Sequence, residues 1–255
     1  MDRAVPRSRQ RWLLLAVLLL TGCGLFREPR TEPVIAQHEL AGLKYLEVVP
    51  VGPDIEEPIP LVVLIHGMGD MPRADWIEAD AQPARYLMPQ APTPYGTGYS
   101  WFPYHINEQN PDLDGHVLAA AEQLAAFVRA AEQRHLTAGR PIVAGFSQGG
   151  ILSMALALRH PERVAMAQPV AGYLPESLWP TAPNPKHNPP IRASHGEEDR
   201  IIAIAPTAAM VETLHRRGFD ITLERFPGIG HTQSPQMQDM MERIIGEGIR
   251  RVMHD

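Results

Sequence analysis

Apolar positions along the chain switch between two periods. Leu61-Val62-Val63-Leu64-Ile65 is an unbroken run of leucine and β-branched residues, the signature of a strand buried on both faces of a parallel sheet. Ile142-Val143-Ala144 and Ile191–Ser194 are shorter runs of the same kind, Arg163–Val170 and Arg85–Pro89 fit further strands, and Leu43–Val49 and Ile221–Phe226 alternate. Leu43–Val49 reads as an early strand that could lie at a sheet edge. Between these runs the period changes to that of a helix. Over Leu113–Leu136, Val117, Leu118, Ala121, Leu124, Ala125 and Val128 fall on one face, with Asp112 placed to cap. Ile151–Leu158 and Ala205–Arg217 are helical, the latter ended by Gly218. Ser234-Pro235 gives an N-cap and a first-turn proline for a last helix reaching about Val252, and Arg73–Ala81 predicts a short helix. Strand and helix alternating in this way predict a mainly parallel sheet covered by helices on both faces.

The first forty residues follow a different pattern. Arg3, Arg7, Arg9 and Arg11 precede an apolar stretch from Trp12 to Leu20, too short to cross a bilayer as a helix. Leu20-Thr21-Gly22-Cys23 follows. The combination resembles a bacterial lipoprotein signal peptide over residues 1–22 with its lipobox. It implies cleavage before Cys23, lipid on that cysteine, and a protein anchored in the cell envelope, with Gly24 favouring the outer membrane over the inner. Residues 23–40, polar and carrying Pro29 and Pro33, are expected to be a tether, and 41–255 the folded domain. Removing the signal leaves about 230 of the 255 residues, the size of a single α/β domain, and 44% hydrophobic residues suffice for its core. The net charge is −6 and no basic run lies outside the signal, so no nucleic-acid partner is indicated. Cys23 is the one cysteine, which excludes an internal disulfide framework.

The chemistry is concentrated in Pro141–Gly150, PIVAGFSQGG. A buried strand, a G-x-S-x-G turn at Gly145–Gly149 and a helix in succession give the context of a nucleophile elbow. Gly145 and Gly149 flank the serine where larger residues would clash, and Gly150 eases helix packing. An elbow serine needs an acid and a histidine later in the chain, each after a sheet strand. Ile191–Ser194 is followed by His195-Gly196-Glu197-Glu198-Asp199, and Ile221–Phe226 by Pro227-Gly228-Ile229-Gly230-His231. The order Ser147, Asp199, His231 is met. Glu197 and Glu198 rival Asp199, and His195, His66 and His187 rival His231.

Four motifs carry a resemblance to a known family: His66-Gly67-Met68-Gly69-Asp70, Gly145–Gly150 as GFSQGG, His195–Asp199 as HG-x-x-D followed by Ile201-Ile202, and the Gly228–His231 loop. Pro89-Gln90-Ala91-Pro92 and Trp101-Phe102 extend it. The chain resembles the carboxylesterase/phospholipase/acyl-protein-thioesterase branch of the α/β hydrolases over about residues 43 to 252. The resemblance implies an α/β-hydrolase fold and a serine hydrolase of carboxylic esters or thioesters, acting on a small-molecule or acyl ester without metal or cofactor. It implies Ser147 as nucleophile, His231 as base, Asp199 as its orienting acid, and backbone N–H groups of Met68 and Gln148 as the oxyanion hole. His66 and Asp70 take structural roles in that loop. Trp101 and Phe102, with Leu174 and Trp179 in the proline-rich 173–190 segment, are candidates for the acyl groove. The competing class is a lipid-anchored binding protein on a hydrolase fold that has lost catalysis.

Overall fold

The computed structural model describes residues 30–78, 80–106 and 110–254. The expected signal peptide and Cys23 lie outside them. In chain order the elements are β1 (Val34–Leu40), β2 (Leu43–Val49), β3 (Leu61–Ile65), β4 (Arg85–Pro89), a small hairpin of β5 (Thr93–Tyr95) and β6 (Gly98–Ser100), α1 (Leu113–Arg134), β7 (Ile142–Phe146), α2 (Gln148–Arg159), β8 (Met166–Val170), β9 (Ile191–Gly196), α3 (Ile204–Arg216), β10 (Ile221–Phe226) and α4 (Pro235–His254). Eight strands form one sheet in the order β1-β2-β4-β3-β7-β8-β9-β10. It is parallel from β4 to β10, with β2 antiparallel to both β4 and β1.

Each central strand is buried on both faces, which is why its sequence is a continuous apolar run rather than an alternation. Leu61, Val63 and Ile65 of β3 join the core formed with α1, α2 and α3, which includes Leu124, Phe127, Leu152 and Met210. Val62 and Leu64 join the opposite core with Ile244, Ile245, Ile249 and Val252 of α4. Ser234 caps α4 as expected, its Oγ accepting the Met237 N–H at 3.3 Å. No helix among the described residues is long and apolar enough to cross a membrane.

The structure departs from the sequence pattern at four places. Val34–Leu40, expected as tether, is the outermost strand, so Leu43–Val49 is an interior strand. The alternation in β1 is hidden from hydropathy because the outward set includes Ile35, 55% exposed, and the inward set includes His38. The β1–β2 turn is Ala41-Gly42, both at positive φ (50° and 76°), the geometry of a two-residue hairpin turn. Arg73–Ala81 contains a single 3-10 turn, Ala74–Trp76, with no side-chain cap and no buried residue of its own. Asp112 sits at φ 55° and its side chain makes no capping bond to α1. Finally, β5 and β6 carry no strong period but pair over Thr93↔Ser100 to Tyr95↔Gly98.

The edge of the sheet is fastened by charge. Glu47 on β2 and Arg85 on β4, 4% and 6% exposed, form a buried ion pair, and His38 Nε2 on β1 lies 3.2 Å from Glu47. Ahead of β1, the Arg30 guanidinium donates to the carbonyls of Val49 at 3.0 Å and Pro50 at 2.6 Å. Removing one member of a buried pair strands the other charge, whereas removing both does not. Glu47→Ala should therefore lower stability by about 3–5 kcal/mol, and Glu47→Ala with Arg85→Leu should recover most of that loss. Urea unfolding of the two variants checks it; a double variant no more stable than the single one would contradict it.

Candidate active site

Strand β7 stops at Phe146 and α2 starts at Gln148, so the whole reversal falls on Ser147. Its backbone is at φ 56°, ψ −117°, a conformation that costs an L-residue free energy and persists only when its surroundings enforce it. Those surroundings are backbone atoms. A Cβ on Gly149 would lie 1.9 Å from the Ile65 carbonyl oxygen, and one on Gly150 would lie 2.3 Å from that of Val170. The Ser147 N–H donates to Val170 O at 2.9 Å, and Ser147 O accepts the Ile151 N–H at 2.9 Å.

The loops after β9 and β10 bring the other two groups to this turn. They are laced by Glu197 N–H to Phe226 O (3.0 Å) and Glu198 N–H to Ile229 O (2.9 Å). His231 Nδ1 is 2.7 Å from Asp199 Oδ2, and His231 Nε2 is 2.9 Å from Ser147 Oγ. An ionised carboxylate only accepts, so Nδ1 carries the proton and Nε2 is free to accept the serine hydrogen. Phe146 packs against the imidazole, centroids 4.8 Å apart. Among the acids, Asp199 is buried, and its Oδ1 accepts the N–H groups of Ile201 (2.9 Å) and Ile202 (2.8 Å). Glu197 and Glu198 are exposed.

The loop after β3 lies against the elbow: a Cβ on Gly67 would be 3.3 Å from Phe146 O and from Ser147 Cβ. His66 holds the loop from beneath. Its Nδ1–H donates to Gly67 O at 2.7 Å, its Nε2 accepts the Ala91 N–H at 3.0 Å, and its ring packs at a tilt against Trp101. Burial pushes its pKa below the ordinary histidine value, opposed by the bond to Gly67 and the charge of Asp70. The β5–β6 hairpin holds the same loop from the side, through Gly69 N–H to Tyr99 O (2.8 Å) and Tyr99 N–H to Asp70 O (3.0 Å).

One contributor was not legible in the sequence, the side chain of Gln148. It is buried. Its Oε1 accepts the Trp101 N–H at 2.9 Å and its Nε2 donates to Phe102 O at 2.8 Å, clamping the start of α2 to the strand-like segment at 100–102. A buried glutamine facing a backbone segment with unpaired groups is the signal, and it needs the fold to be seen. The same clamp corrects the groove candidates. Trp101 and Phe102 are 4% and 3% exposed and Leu174 is 0% exposed, all in the core. The Trp101 indole N–H is bound to His66 O at 3.0 Å, and that of half-buried Trp179 to Leu174 O at 2.7 Å. Buried aromatics with satisfied N–H groups serve packing. Among the described residues, the exposed apolar side chains on these loops are Met71, Tyr95 and Ile106. Burial pushes the phenols of Tyr104 and Tyr173 up; the Asp199 charge adds to the former. No group of three or more histidine, cysteine, aspartate or glutamate side chains among the described residues is arranged to hold a metal ion.

Residues 47–246 match the phospholipase/carboxylesterase family. A probable carboxylesterase of rice (Oryza sativa subsp. japonica) is 28% identical over 69% of this chain and 72% of its own. Acyl-protein thioesterase 1 of Gibberella zeae is 23% identical over 72% of this chain and 88% of its own. The crystal structure of esterase PE8 superposes with a TM-score of 0.66 at 21% identity, covering 85% of this chain and 99% of that one.

The Gln148 clamp predicts a stability effect separable from chemistry. Gln148→Ala keeps the backbone N–H but strands the buried Trp101 N–H, at about 1–3 kcal/mol for a buried group left without a partner, while the Phe102 carbonyl keeps the Ser100 hydroxyl at 2.8 Å. Chemical denaturation should show a loss of that size; an unchanged midpoint would mean the clamp is idle.

Proposed function

Because the chain belongs to the phospholipase/carboxylesterase family and is a serine hydrolase of the esterase or thioesterase type, we propose that it works through an acyl-enzyme on Ser147. The observation that carries this is the unbroken chain of hydrogen bonds from Ser147 Oγ to His231 (2.9 Å) and on to Asp199 (2.7 Å). Ser147 attacks the acyl carbonyl while His231 Nε2 takes its proton. The developing imidazolium is held by the Asp199 carboxylate, and the tetrahedral oxyanion by the backbone N–H groups of Met68 and Gln148. His231 then protonates the departing alcohol or thiol. Water, deprotonated by the same imidazole, attacks the ester on Ser147 and releases the acid. Family membership and this connected triad support catalysis over a binding role on an inactive hydrolase fold.

We further propose that lipid on Cys23 holds the domain at the bacterial envelope, in the outer membrane. The charge, apolar and small-residue order of residues 1–23 supports it. Since β1 begins at Val34, only residues 24–33 separate the lipid from the sheet, a reach of at most about 35 Å. The substrate is a soluble or monomeric ester of short to medium acyl chain rather than packed bilayer lipid. The net charge of −6 gives no attraction to anionic lipid, and among the described residues the exposed apolar side chains around the site are few.

Ser147→Ala should abolish ester hydrolysis and labelling by a fluorophosphonate probe while leaving the melting temperature nearly unchanged; residual labelling would remove Ser147 from this role. Asp199→Asn should cost about 10³–10⁴-fold in kcat, and Glu197→Gln and Glu198→Gln should be mild. A reversed ranking would reassign the acid. Cys23→Ala should move the protein to the soluble fraction with kcat on a soluble ester unchanged; a variant that stayed with the membrane fraction would refute the anchor.

A further inference from the structure

His195 has no part in the mechanism above, yet it is built into the site more completely than any other imidazole. It ends β9 with its side chain 0% exposed. Its Nε2 lies 2.8 Å from Ile202 O and 3.2 Å from Asp199 Oδ2, the same oxygen that accepts from His231. Its Nδ1 lies 3.1 Å from Thr207 Oγ1 on α3. A nitrogen facing two acceptors must carry hydrogen, so Nε2 is the donor. Nδ1 faces the Thr207 hydroxyl, whose single hydrogen is divided between it and Gly172 O. Thr207 Oγ1 lies 3.2 Å from Gly172 O, so α3 and the loop after β8 hold the hydroxyl between them.

With this contact both carboxylate oxygens are engaged: Oδ1 by two backbone N–H groups, and Oδ2 by His231 Nδ1 at 2.7 Å and, more weakly, by His195 Nε2 at 3.2 Å, whose hydrogen it shares with Ile202 O. Resting on the triad assignment above, we propose that His195 is a positioning residue. By sharing Oδ2 with His231, it sets both the direction of the carboxylate and the strength with which that carboxylate holds the His231 proton. A donor on a carboxylate draws off part of its charge, so His195 makes Asp199 a weaker partner for the imidazolium than it would otherwise be. That lets His231 return its proton to the leaving group.

The titratable groups facing His195 are Asp199, from its own loop, and His231, from the loop after β10. Toward it α3 presents Thr207, and the loop after β8 presents the Gly172 carbonyl near that hydroxyl; neither titrates. Tyr104 feels the Asp199 charge at longer range. Burial pushes the His195 pKa below the ordinary histidine value, opposed by its bond to Ile202 O and the charge of Asp199 and reinforced by His231.

The test compares wild type, His195→Ala and His195→Gln on a soluble ester, with rates divided by the number of sites labelled by a fluorophosphonate probe. His195→Ala should lose about ten- to a hundredfold in kcat, the range for one hydrogen bond to a charged group, with KM within about twofold. The acid limb of its kcat/KM profile should move to higher pH, because Asp199 relieved of a donor holds the His231 proton harder. His195→Gln can place an amide N–H at the Nε2 position and should restore most of the rate and the profile. A purely structural role lowers the labelled fraction and leaves the rate per labelled site and the acid limb where they were; that result overturns the inference while the triad stands. A wild type that takes no probe overturns the triad and this inference with it. Should His195→Ala not fold, nitrogen-15 NMR of the folded wild type decides: the Nε2–H tautomer is expected for His195, and the Nδ1–H tautomer overturns it.

Discussion

The site depends on one backbone contact, the approach of the α2 N-terminus to the end of β3. The Gly149 Cα sits where any Cβ would strike the Ile65 carbonyl oxygen at 1.9 Å. That distance fixes how sharply the chain turns at Ser147 and hence the left-handed backbone there. The same turn aims the helix N-terminus at the serine, where its unpaired N–H groups meet negative charge favourably. It also sets Gly67 against the elbow, so Ser147 and the loop after β3 are positioned by a single packing event between neighbouring strands β3 and β7.

Around that contact the polar groups are arranged so that none of the chemistry rests on a mobile side chain. His66, Gln148, Asp199 and His195 are all buried, and each is bound by at least two partners. Burying polar groups costs free energy unless each is satisfied, and a satisfied network in a low dielectric is rigid. Ser147 and His231 are the partly open members of the site.

Much of this was legible in the sequence, for reasons that differ from residue to residue. The central strands announce themselves because burial on both faces demands an apolar run, and the elbow because a strained turn between backbone carbonyls admits only glycine at its flanks. The order Ser147, Asp199, His231 follows from each lying after a parallel strand. What was hidden depends on partners far along the chain. Strand β1 carries His38 inward because Glu47 waits for it across the ladder, which hydropathy scores as a polar intrusion. Trp101 and Phe102 have the composition of a ligand-lining segment, but their backbone is clamped by Gln148, 47 residues away for Trp101, and this turns them into the core. His195 reads in the sequence as a rival base; only the fold shows its Nε2 bound to Ile202 O and 3.2 Å from the Asp199 oxygen that faces His231.

The place of β1 has a mechanical consequence. The chain enters the domain at the open end of a two-strand hairpin, where Val34 faces Val49 and Arg30 is tied to the Val49 and Pro50 carbonyls. A load entering at that end and directed away from the sheet meets the Arg30 bonds first and then the ladder rungs one after another, as a zipper is opened, never several in shear. The seven residues of β1 lie at the border of the sheet opposite β10, whose following loop carries His231. A pull on the amino end is therefore spent on peeling an edge, and Ser147, in the turn after β7 three places inward from β2, is shielded from tension by the part of the fold that yields.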